Sequence, residues 1–442
     1  MSVPEDVPQP ENGFYVLVTG ANSGVGLAIG CRLIDEFLQT HPQTETLVLI
    51  ITTRDQKKGN ASIATLRKHY DTTCRNLDRS LPGMRLVLER RVHFRQEIVD
   101  LTSLVSVQKV AKRIRATTPK LDAVIFNAGI GGWTGVNWPS AIWTVLTDIK
   151  NATTWPTFKV GSVGWATRPQ LPASVERAPP EEPQLGEVFC ANVFGHYLLG
   201  HYLGPLLACH DKSDEHRGRM IWVSSLAGYT HNMNFDDFQG LATDEPYEVS
   251  KRITDLLALT STLPAAASYV DRYLDYPRAH PGRTTRPRIY AAHPGITATG
   301  IMPLRFTILE YAMVAAMYIA RWLGSQWHPI TIYKGATAMV WLALASQSML
   351  DSMEEKEGVG KWGSAADWWG RERAERTEVE GWGGGGRMGE WTGRKGRSPY
   401  AKSLTEEAHA EFEEQGVRCW KEMERLRKEW EERLEAAGVN EM

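Results

Sequence analysis

The sequence predicts an α/β fold: a doubly wound parallel sheet with an insertion and a C-terminal extension. Short apolar and β-branched runs alternate with helix-length segments from Phe14 to Ser346, which is typical of a parallel sheet covered by helices on both faces. A glycine-rich turn follows the first run, and 42% of the 442 residues are hydrophobic, enough for a large core. We expect these strands: Phe14–Thr19, Thr46–Thr53, Val92–Glu97, Leu121–Asn127, Met220–Ser224 and Arg288–His293.

Composition narrows the functional class. The formal net charge of -2 gives no general attraction to nucleic acid or to an anionic membrane, so we expect no nucleic-acid partner and only local membrane contact. The five cysteines lack the spacing of a metal site, which favours free thiols in a reducing compartment and no metal. Residues 1–13 have neither a basic start nor an apolar run, so we expect the catalytic domain to face the cytosol.

Changes in composition divide the chain into three parts. Residues 1–350 carry the α/β alternation, interrupted at about 131–185 by a Trp-, Pro- and Thr-rich insertion without clear periodicity. Residues 351–402 are rich in Gly and Trp and predict a flexible linker. Residues 403–442 predict a charged helix that begins with a capping-box pattern at Ser403–Glu406. Its partial apolar stripe leaves two alternatives, a mostly solvated helix or a partner-binding helix.

An apolar segment at about 303–325 precedes the end of the first part. Its core, Phe306–Leu323, has the length of a helix and contains Glu310 and Arg321. A spanning helix needs about 20 mostly apolar residues, and the two charges count against insertion. Three alternatives stay open: a lid or core helix over the active site, a helix lying on a membrane surface, and a spanning helix.

The turn after the first strand predicts a nucleotide site. It connects a strand to a helix, so its glycines fall where the backbone must turn tightly and come close to a pyrophosphate. In isolation the pattern would also fit a strand-to-helix turn without a ligand. The predicted binding residues are Gly20, Asn22, Ser23, Gly24, Val25 and Gly26.

The end of the second strand favours NADPH. Arg54 stands near the position where an acidic residue would bind the ribose hydroxyls of NAD, and a guanidinium can pair with the 2′-phosphate of NADP. Asp55 beside it fits NAD, and Arg54 could also be a solvated loop charge.

Two later strand ends complete the predicted cofactor crevice. Asp100 follows the third strand, and Asn127, Ala128 and Gly129 follow the fourth. Alone, Asp100 would fit a cap of the helix starting near Thr102, and Asn127 an ordinary turn residue.

Four residues form the predicted catalytic group. Tyr247 and Lys251 lie four apart on a predicted helix, so both project from one face, and an ammonium nearby would lower the pKa of the phenol toward the range for proton transfer. Ser225 ends a strand where its hydroxyl could hold a carbonyl, and Asn192 lies inside an apolar helix-like run, where a buried amide needs a partner. Considered singly, Tyr247 and Lys251 would also fit a surface pair, Ser225 a turn at a strand end, and Asn192 a buried amide whose hydrogen bonds are satisfied.

The order of these elements resembles that of the short-chain dehydrogenase/reductase family, from about Phe14 to Ile301. The shared motifs are the glycine turn, Asn-Ala-Gly, Asn, Ser and Tyr-x-x-x-Lys. A closer likeness is to the 3-keto-steroid reductase branch of ergosterol biosynthesis. It rests on these segments: Trp138-Pro139, Glu187–Tyr197, Phe235–Gln239 and Glu245-Pro246-Tyr247. His293–Thr299 is similar to the family's segment beside the nicotinamide, which adds Pro294, Gly295, Ile296 and Thr297 to the cofactor site.

The resemblance implies a Rossmann-like fold and NADPH-dependent reduction of the C3 ketone of a C4-demethylated sterol. Tyr247 would donate the proton, Ser225 would orient the carbonyl, Lys251 would tune Tyr247 and hold the nicotinamide ribose, and Asn192 would support a proton relay through water. It also implies the cytosolic face of the endoplasmic reticulum membrane, lipid droplets, and a complex with other enzymes of sterol C4 demethylation. Two alternatives stay open: a reductase of another bulky ketone or aldehyde, and a non-catalytic NADP-binding scaffold.

Overall fold

The computed structural model describes residues 10–171, 182–208, 217–274, 286–299, 307–388, 397–398 and 401–438. The strands are β1 Gly13–Val18, β2 Thr46–Thr53, β3 Val92–Ile98, β4 Ala123–Phe126, β5 Trp133–Val136, β6 Lys159–Gly161, β7 Arg219–Val223, β8 Arg288–His293, β9 Lys361–Ala366 and β10 Glu372–Thr377. The first helices are α1 Gly24–Thr40, α2 Gln56–Ser80, α3 Met84–Leu88, α4 Leu104–Thr117, α5 Trp138–Thr147, α6 Ile149–Thr154, α7 Glu187–Phe189 and α8 Gly195–Leu207. The later helices are α9 Pro246–Thr260, α10 Ala267–Leu274, α11 Thr307–Trp322, α12 Ile332–Gly335, α13 Thr337–Leu344, α14 Gln347–Glu357 and α15 Glu406–Ala436. A π-helical turn, Cys190–Phe194, joins α7 to α8, and 3₁₀ turns occupy Thr230–Asn232 and Phe235–Asp237.

The predicted doubly wound α/β fold is confirmed. Eight strands form one sheet in the order β10-β9-β8-β7-β4-β1-β2-β3, with β10 antiparallel to β9 and the other neighbours parallel. All six predicted strands are present, with ends that differ by at most two residues. The chain moves outward in one direction from β1 to β3 and in the other from β4 to β8, so a crevice forms between β1 and β4 at their carboxyl ends.

The central strands are buried on both faces. Leu17 and Phe126 join the apolar cluster that includes residues of α4, α8 and α9, whereas their neighbours Val16 and Ile125 join the cluster that includes residues of α1 and α13. Because both faces are buried, the sequences of these strands are apolar runs and do not alternate between apolar and polar residues. Packing on both faces therefore supports the sheet edge where the motifs emerge.

The flexible linker predicted at 351–402 is wrong for the described residues. That range contains most of α14, together with β9 and β10, and β9 pairs in parallel with β8. Trp362 is buried on α13, and the indole of Trp382 donates a hydrogen bond to the carbonyl of Val359 at 2.7 Å. The sequence does not predict these strands, because β9 is rich in Gly, Ser and Ala and β10 is mainly charged, and neither composition is typical of a strand. Residues 389–396 and 399–400 of the predicted linker lie outside the described residues.

The C-terminal helix is present, but the expectation of a mostly solvated helix is wrong. One face of α15 packs on α9 and α10, and it buries Phe412, Trp420 and Trp430. The stripe looks partial in the sequence because Gly416 and the charged pair Glu424 and Arg427 lie on the same buried face. The N-cap is Thr405, which accepts a hydrogen bond from the Ala408 amide at 3.2 Å, and not Ser403.

The predicted insertion contains secondary structure within the part that the structure describes. β5 and β6 form an antiparallel pair, and α5 and α6 lie between them in sequence. Residues 172–181 of this segment lie outside the described residues. The insertion therefore supplies a separate wall beside the sheet edge.

Helix α11 accounts for most of the apolar segment at 303–325, whose residues 303–306 lie outside the described ones. It packs against α6, and its residues Leu309, Met313 and Met317 line a large cavity at the carboxyl ends of the strands. Across the described ranges, we find no helix with the length and apolarity needed to cross a bilayer.

Candidate active site

A cavity of about 970 Å³ opens at the carboxyl ends of β1, β4, β7 and β8. The glycine turn lines one end, and apolar side chains of α5 and α11 line the other. With the exception of Asn192, every residue predicted for the site lines this cavity: Gly20, Asn22, Ser23, Gly24, Val25, Gly26, Arg54, Asp100, Asn127, Ala128, Gly129, Ser225, Tyr247, Lys251, Pro294, Gly295, Ile296 and Thr297.

The glycine turn provides a backbone cradle. Gly20 has φ +66°, and a Cβ built there would lie 2.8 Å from Cα of Ala128. A Cβ on Gly26 would overlap the carbonyl oxygen of Gly20. Side chains are thus excluded where the turn packs against itself and against the loop after β4, which brings the N-terminus of α1 to the cavity wall, and a helix N-terminus favours an anion. These residues fit a dinucleotide.

A threonine that the sequence reasoning missed joins the glycine turn to the fourth strand. The hydroxyl of Thr19 accepts hydrogen bonds from the backbone amides of Asn127 at 2.9 Å and Ala128 at 3.0 Å. The Asn127 side chain donates back to the carbonyl of Thr19 at 3.0 Å. Asn127 thus holds the glycine turn against the end of the fourth strand. The position of Thr19 directly before Gly20 was the signal in the sequence that could have indicated its role.

A buried histidine supports the same junction. His196 Nδ1 lies 3.1 Å from the carbonyl oxygen of Asn192, and its Nε2 lies 2.9 Å from the Thr19 hydroxyl. Burial lowers the pKa of His196 to about 3, so the ring is neutral. Because a carbonyl can only accept, Nδ1 carries the proton and Thr19 donates to Nε2.

The two residues that follow β2 have different environments. The carboxylate of Asp55 caps α2 by accepting a hydrogen bond from the Lys58 amide at 2.8 Å. Arg54 is exposed and lines the cavity. The capping role accounts for Asp55 without a bound ribose, and of these two residues only Arg54 lines the cavity.

Asp100 lies at the cavity wall and stabilises the loop before α4. Its Oδ1 accepts hydrogen bonds from the amide of Thr102 at 3.0 Å and from the hydroxyl of Thr102 at 2.8 Å. The helix itself begins at Leu104 with Ser103 as its N-cap, so Asp100 is not the cap.

The segment after β8 forms the opposite wall. Gly295 has φ +66°, and its amide donates to Nδ1 of His293 at 3.1 Å. The amide of Ile296 donates to the carbonyl of Trp327 at 2.6 Å, and Thr297 forms a bridge with Ile330. These contacts hold the backbone of residues 294–297 against the cavity.

Tyr247, Lys251 and Ser225 converge where the cavity reaches β7. Lys251 Nζ lies 5.3 Å from the centre of the Tyr247 ring and donates to the carbonyl of Val223 at 2.8 Å. The Ser225 hydroxyl accepts from the Ala227 amide at 3.2 Å and lies close enough to the Tyr247 phenol to lower its pKa. The phenol, the hydroxyl and the ammonium thus occupy one corner.

The expected lowering of the Tyr247 pKa is wrong in this structure. Burial raises the pKa of Tyr247 to about 12, and the nearby Ser225 hydroxyl only partly offsets the rise. Burial also lowers the pKa of Lys251 to about 8. Loss of solvation and the nearby Glu248 carboxylate both raise the pKa of Tyr247, so the phenol keeps its proton at neutral pH, the form that a proton donor needs.

Asn192 lies behind the cavity, in the π-helical turn. Its Oδ1 accepts from the Ile130 amide at 2.8 Å, and its Nδ2 donates to the Ile130 carbonyl and to the Ser250 hydroxyl, both at 3.0 Å. The amide therefore links the loop after β4 to α9. Its predicted part in a proton relay stays a prediction.

The antiparallel strand pair β5–β6 covers Tyr247, a contact that the sequence reasoning missed. The ring of Trp133 lies 4.8 Å from that of Tyr247, centre to centre. Lys159 Nζ lies 4.7 Å from the centre of the Trp133 ring and pairs with Glu248. The Trp133 ring and the ion pair between Lys159 and Glu248 thus close the reactive corner, which is formed by Tyr247, Ser225 and Lys251.

The far end of the cavity is apolar. Five residues of α11 spaced along one helical face line it: Leu309, Ala312, Met313, Ala316 and Met317. Opposite them stand the following residues of α5: Trp138, Ala141, Ile142, Val145 and Leu146. This end suits a large hydrophobic molecule.

Comparisons with known proteins identify the family. The chain is 44% identical over 439 residues to the 3-keto-steroid reductase of Aspergillus fumigatus, covering 96% of this chain and 95% of the relative. It is 39% identical to that of Gibberella zeae, covering 97% and 96%. Among solved structures, it is similar to a 7α-hydroxysteroid dehydrogenase complexed with NADH and 7-oxoglycochenodeoxycholic acid, with 13% identity, 76% and 88% coverage and a TM-score of 0.41. No protein-family model matches the chain. The chain belongs to the 3-keto-steroid reductases within the short-chain dehydrogenase/reductase family.

Proposed function

We propose that this chain reduces the C3 ketone of a C4-demethylated sterol to the 3β-alcohol with NADPH, in ergosterol biosynthesis. One observation carries the proposal: Tyr247 and Ser225 meet where the glycine crevice opens into an apolar cavity. The crevice suits a dinucleotide, and the apolar end suits a sterol. The curated relatives bear the name of this activity.

The reaction needs a proton donor, an oriented carbonyl and a hydride source. When bound, NADPH supplies the hydride to C3. Tyr247, which burial keeps protonated, donates its proton to the carbonyl oxygen, while the Ser225 hydroxyl donates a hydrogen bond to the same oxygen. By the family resemblance, Lys251 would hold the nicotinamide ribose, and its ammonium lies beside the phenol in the cavity.

The test of this proposal is turnover by the purified protein. We expect NADPH oxidation with a C4-demethylated 3-ketosterol and formation of the 3β-alcohol, measured by absorbance and by gas chromatography with mass spectrometry. Retinoid and polyketide ketones serve as competitors. Faster turnover of a non-sterol ketone would contradict the sterol assignment, and no turnover of any ketone would contradict the reductase proposal.

We expect Arg54→Ala to weaken the preference for NADPH over NADH by about tenfold to a hundredfold, since a charge-assisted hydrogen bond contributes about 1.5–3 kcal/mol. The measurement is the ratio of kcat/KM for the two cofactors. Asp55→Asn is the matched control, because asparagine caps a helix as well as aspartate does. An unchanged ratio in Arg54→Ala would show that another group binds the 2′-phosphate.

We propose further that the cavity faces the endoplasmic reticulum membrane, with lipid droplets as a second location. Trp143 and Leu146 on α5 are 70% and 80% exposed, and Tyr311 on α11 is also exposed. Because α5 and α11 both line the cavity, these apolar side chains surround the end that suits the sterol. A complex with other enzymes of sterol C4 demethylation is part of this proposal and rests on the family resemblance.

The combined change Trp143→Glu and Leu146→Glu should reduce binding to phosphatidylcholine vesicles at least about tenfold, because each large apolar side chain contributes about 1.5–3 kcal/mol on burial. Vesicle flotation measures the bound fraction. Leu86→Glu is the control, since Leu86 is 81% exposed on α3, which does not line the cavity. Equal losses in both proteins would remove α5 from the membrane contact.

A further inference from the structure

A buried ion pair lies directly behind the reactive corner, outside the mechanism described above. Lys361, the first residue of β9, and Asp255 of α9 place Nζ and Oδ2 2.6 Å apart, with side-chain exposures of 3% and 0%. Burying two charges costs free energy that their attraction only partly offsets, so such a pair is weak evidence of a purely stabilising role. Its neighbours indicate another one.

The pair holds the two residues that follow β7, Ser224 and Ser225. Asp255 Oδ1 accepts a hydrogen bond from the Ser224 hydroxyl at 2.6 Å, and Lys361 Nζ donates to the carbonyl oxygen of Ser225. The carbonyl of Val223, two residues before Ser225, accepts a hydrogen bond from Lys251. Three consecutive residues are therefore tied to α9 or to β9 through polar contacts.

Asp255 also continues the reactive face of α9. It lies one helical turn after Lys251, which lies one turn after Tyr247, so all three project toward β7. Both members of the pair line a second cavity, of about 580 Å³, beyond Trp133 and Lys159, and neither lines the main cavity. They act on the site through other residues.

We propose that Lys361 and Asp255 are positioning residues for the ketone reduction: they fix the backbone at Ser225 against α9, so that the Ser225 hydroxyl and the Tyr247 phenol reach the same substrate oxygen. This inference rests on the proposed function. It gives the C-terminal strand β9 a part in the reaction, since the carbonyl of Ser225 is held from that strand.

The test replaces both charges at once, with Lys361→Gln combined with Asp255→Asn. Asp255 raises and Lys361 lowers the pKa of Lys251, so removing both preserves the net charge beside Lys251. We expect kcat to fall at least about tenfold while the Kd for NADPH changes less than about threefold, because a misplacement near 1 Å can slow a reaction about a hundredfold. Single-turnover rates and quenching of tryptophan fluorescence by NADPH give the two values.

The matched control is Arg427→Met, which breaks a buried ion pair with Glu424 on α15. We expect it to lower Tm while kcat stays within about twofold. If the neutral pair does not fold, Asp255→Glu keeps both charges and moves the carboxylate by one methylene, and the same fall in kcat is expected. An unchanged kcat in the folded variant, or an equal fall in the control, would overturn the inference. Absence of turnover in the unmodified protein would instead contradict the proposed function.

Discussion

Tyr247→Phe should lower kcat for NADPH-dependent ketone reduction by about a hundredfold to ten thousandfold, which is the usual contribution of a positioned general acid. The phenylalanine ring fills the same space beside Trp133, so the corner keeps its shape and loses only the proton. Steady-state rates with a 3-ketosterol measure the loss. Binding of NADPH should survive, because the glycine turn is unchanged.

The control for this experiment is a tyrosine of equal size outside the cavity. Tyr290→Phe removes a hydroxyl that accepts a hydrogen bond from Gln347 at 3.0 Å, and we expect kcat within about twofold of the unmodified protein. Full activity in Tyr247→Phe would exclude the phenol as the proton donor. A parallel loss of NADPH binding would mean that the variant damages the cavity rather than the chemistry.

Trp420→Ala should lower the free energy of unfolding by about 3–5 kcal/mol, the usual range for a large aromatic side chain removed from a core. Trp420 is 1% exposed, and its ring lies 5.5 Å from that of Tyr273 and 6.0 Å from that of Tyr197, centre to centre. Denaturant titration followed by far-UV circular dichroism measures the change. The prediction treats α15 as part of the core.

Trp369→Ala is the matched control for that substitution. Trp369 is 77% exposed in the turn between β9 and β10, so we expect a change within about 0.5 kcal/mol. Equal losses in the two variants would mean that the packing of α15 contributes no more to stability than a surface side chain does.

The sequence predicts the sheet and the cofactor turn well because their signals are local. The central strands are buried on both faces and mostly apolar, as β2 is from Leu47 to Ile51, and Gly20 is needed for its own backbone angle. Tyr247 and Lys251 are likewise related by a single helical turn. Each of these features can be recognised within a short window.

The missed features depend on partners distant in sequence. β9 contains Gly, Ser and Ala, and it becomes a strand because β8 offers it a parallel edge. The pKa of Tyr247 depends on burial beneath Trp133, more than a hundred residues earlier, and Lys361 reaches Ser225 from even farther along the chain. No local pattern encodes these contacts.

The position of α15 has a consequence for how the protein is made. Ribosomes add roughly 5–20 residues per second, so several seconds separate the appearance of α9 from that of the helix that covers it. During that interval the nascent polypeptide exposes the apolar surface of α9 and α10 that α15 later covers. We expect chaperones to bind the nascent chain during this interval. We also expect chains truncated before Thr405, which lack α15, to aggregate instead of folding into shorter enzymes.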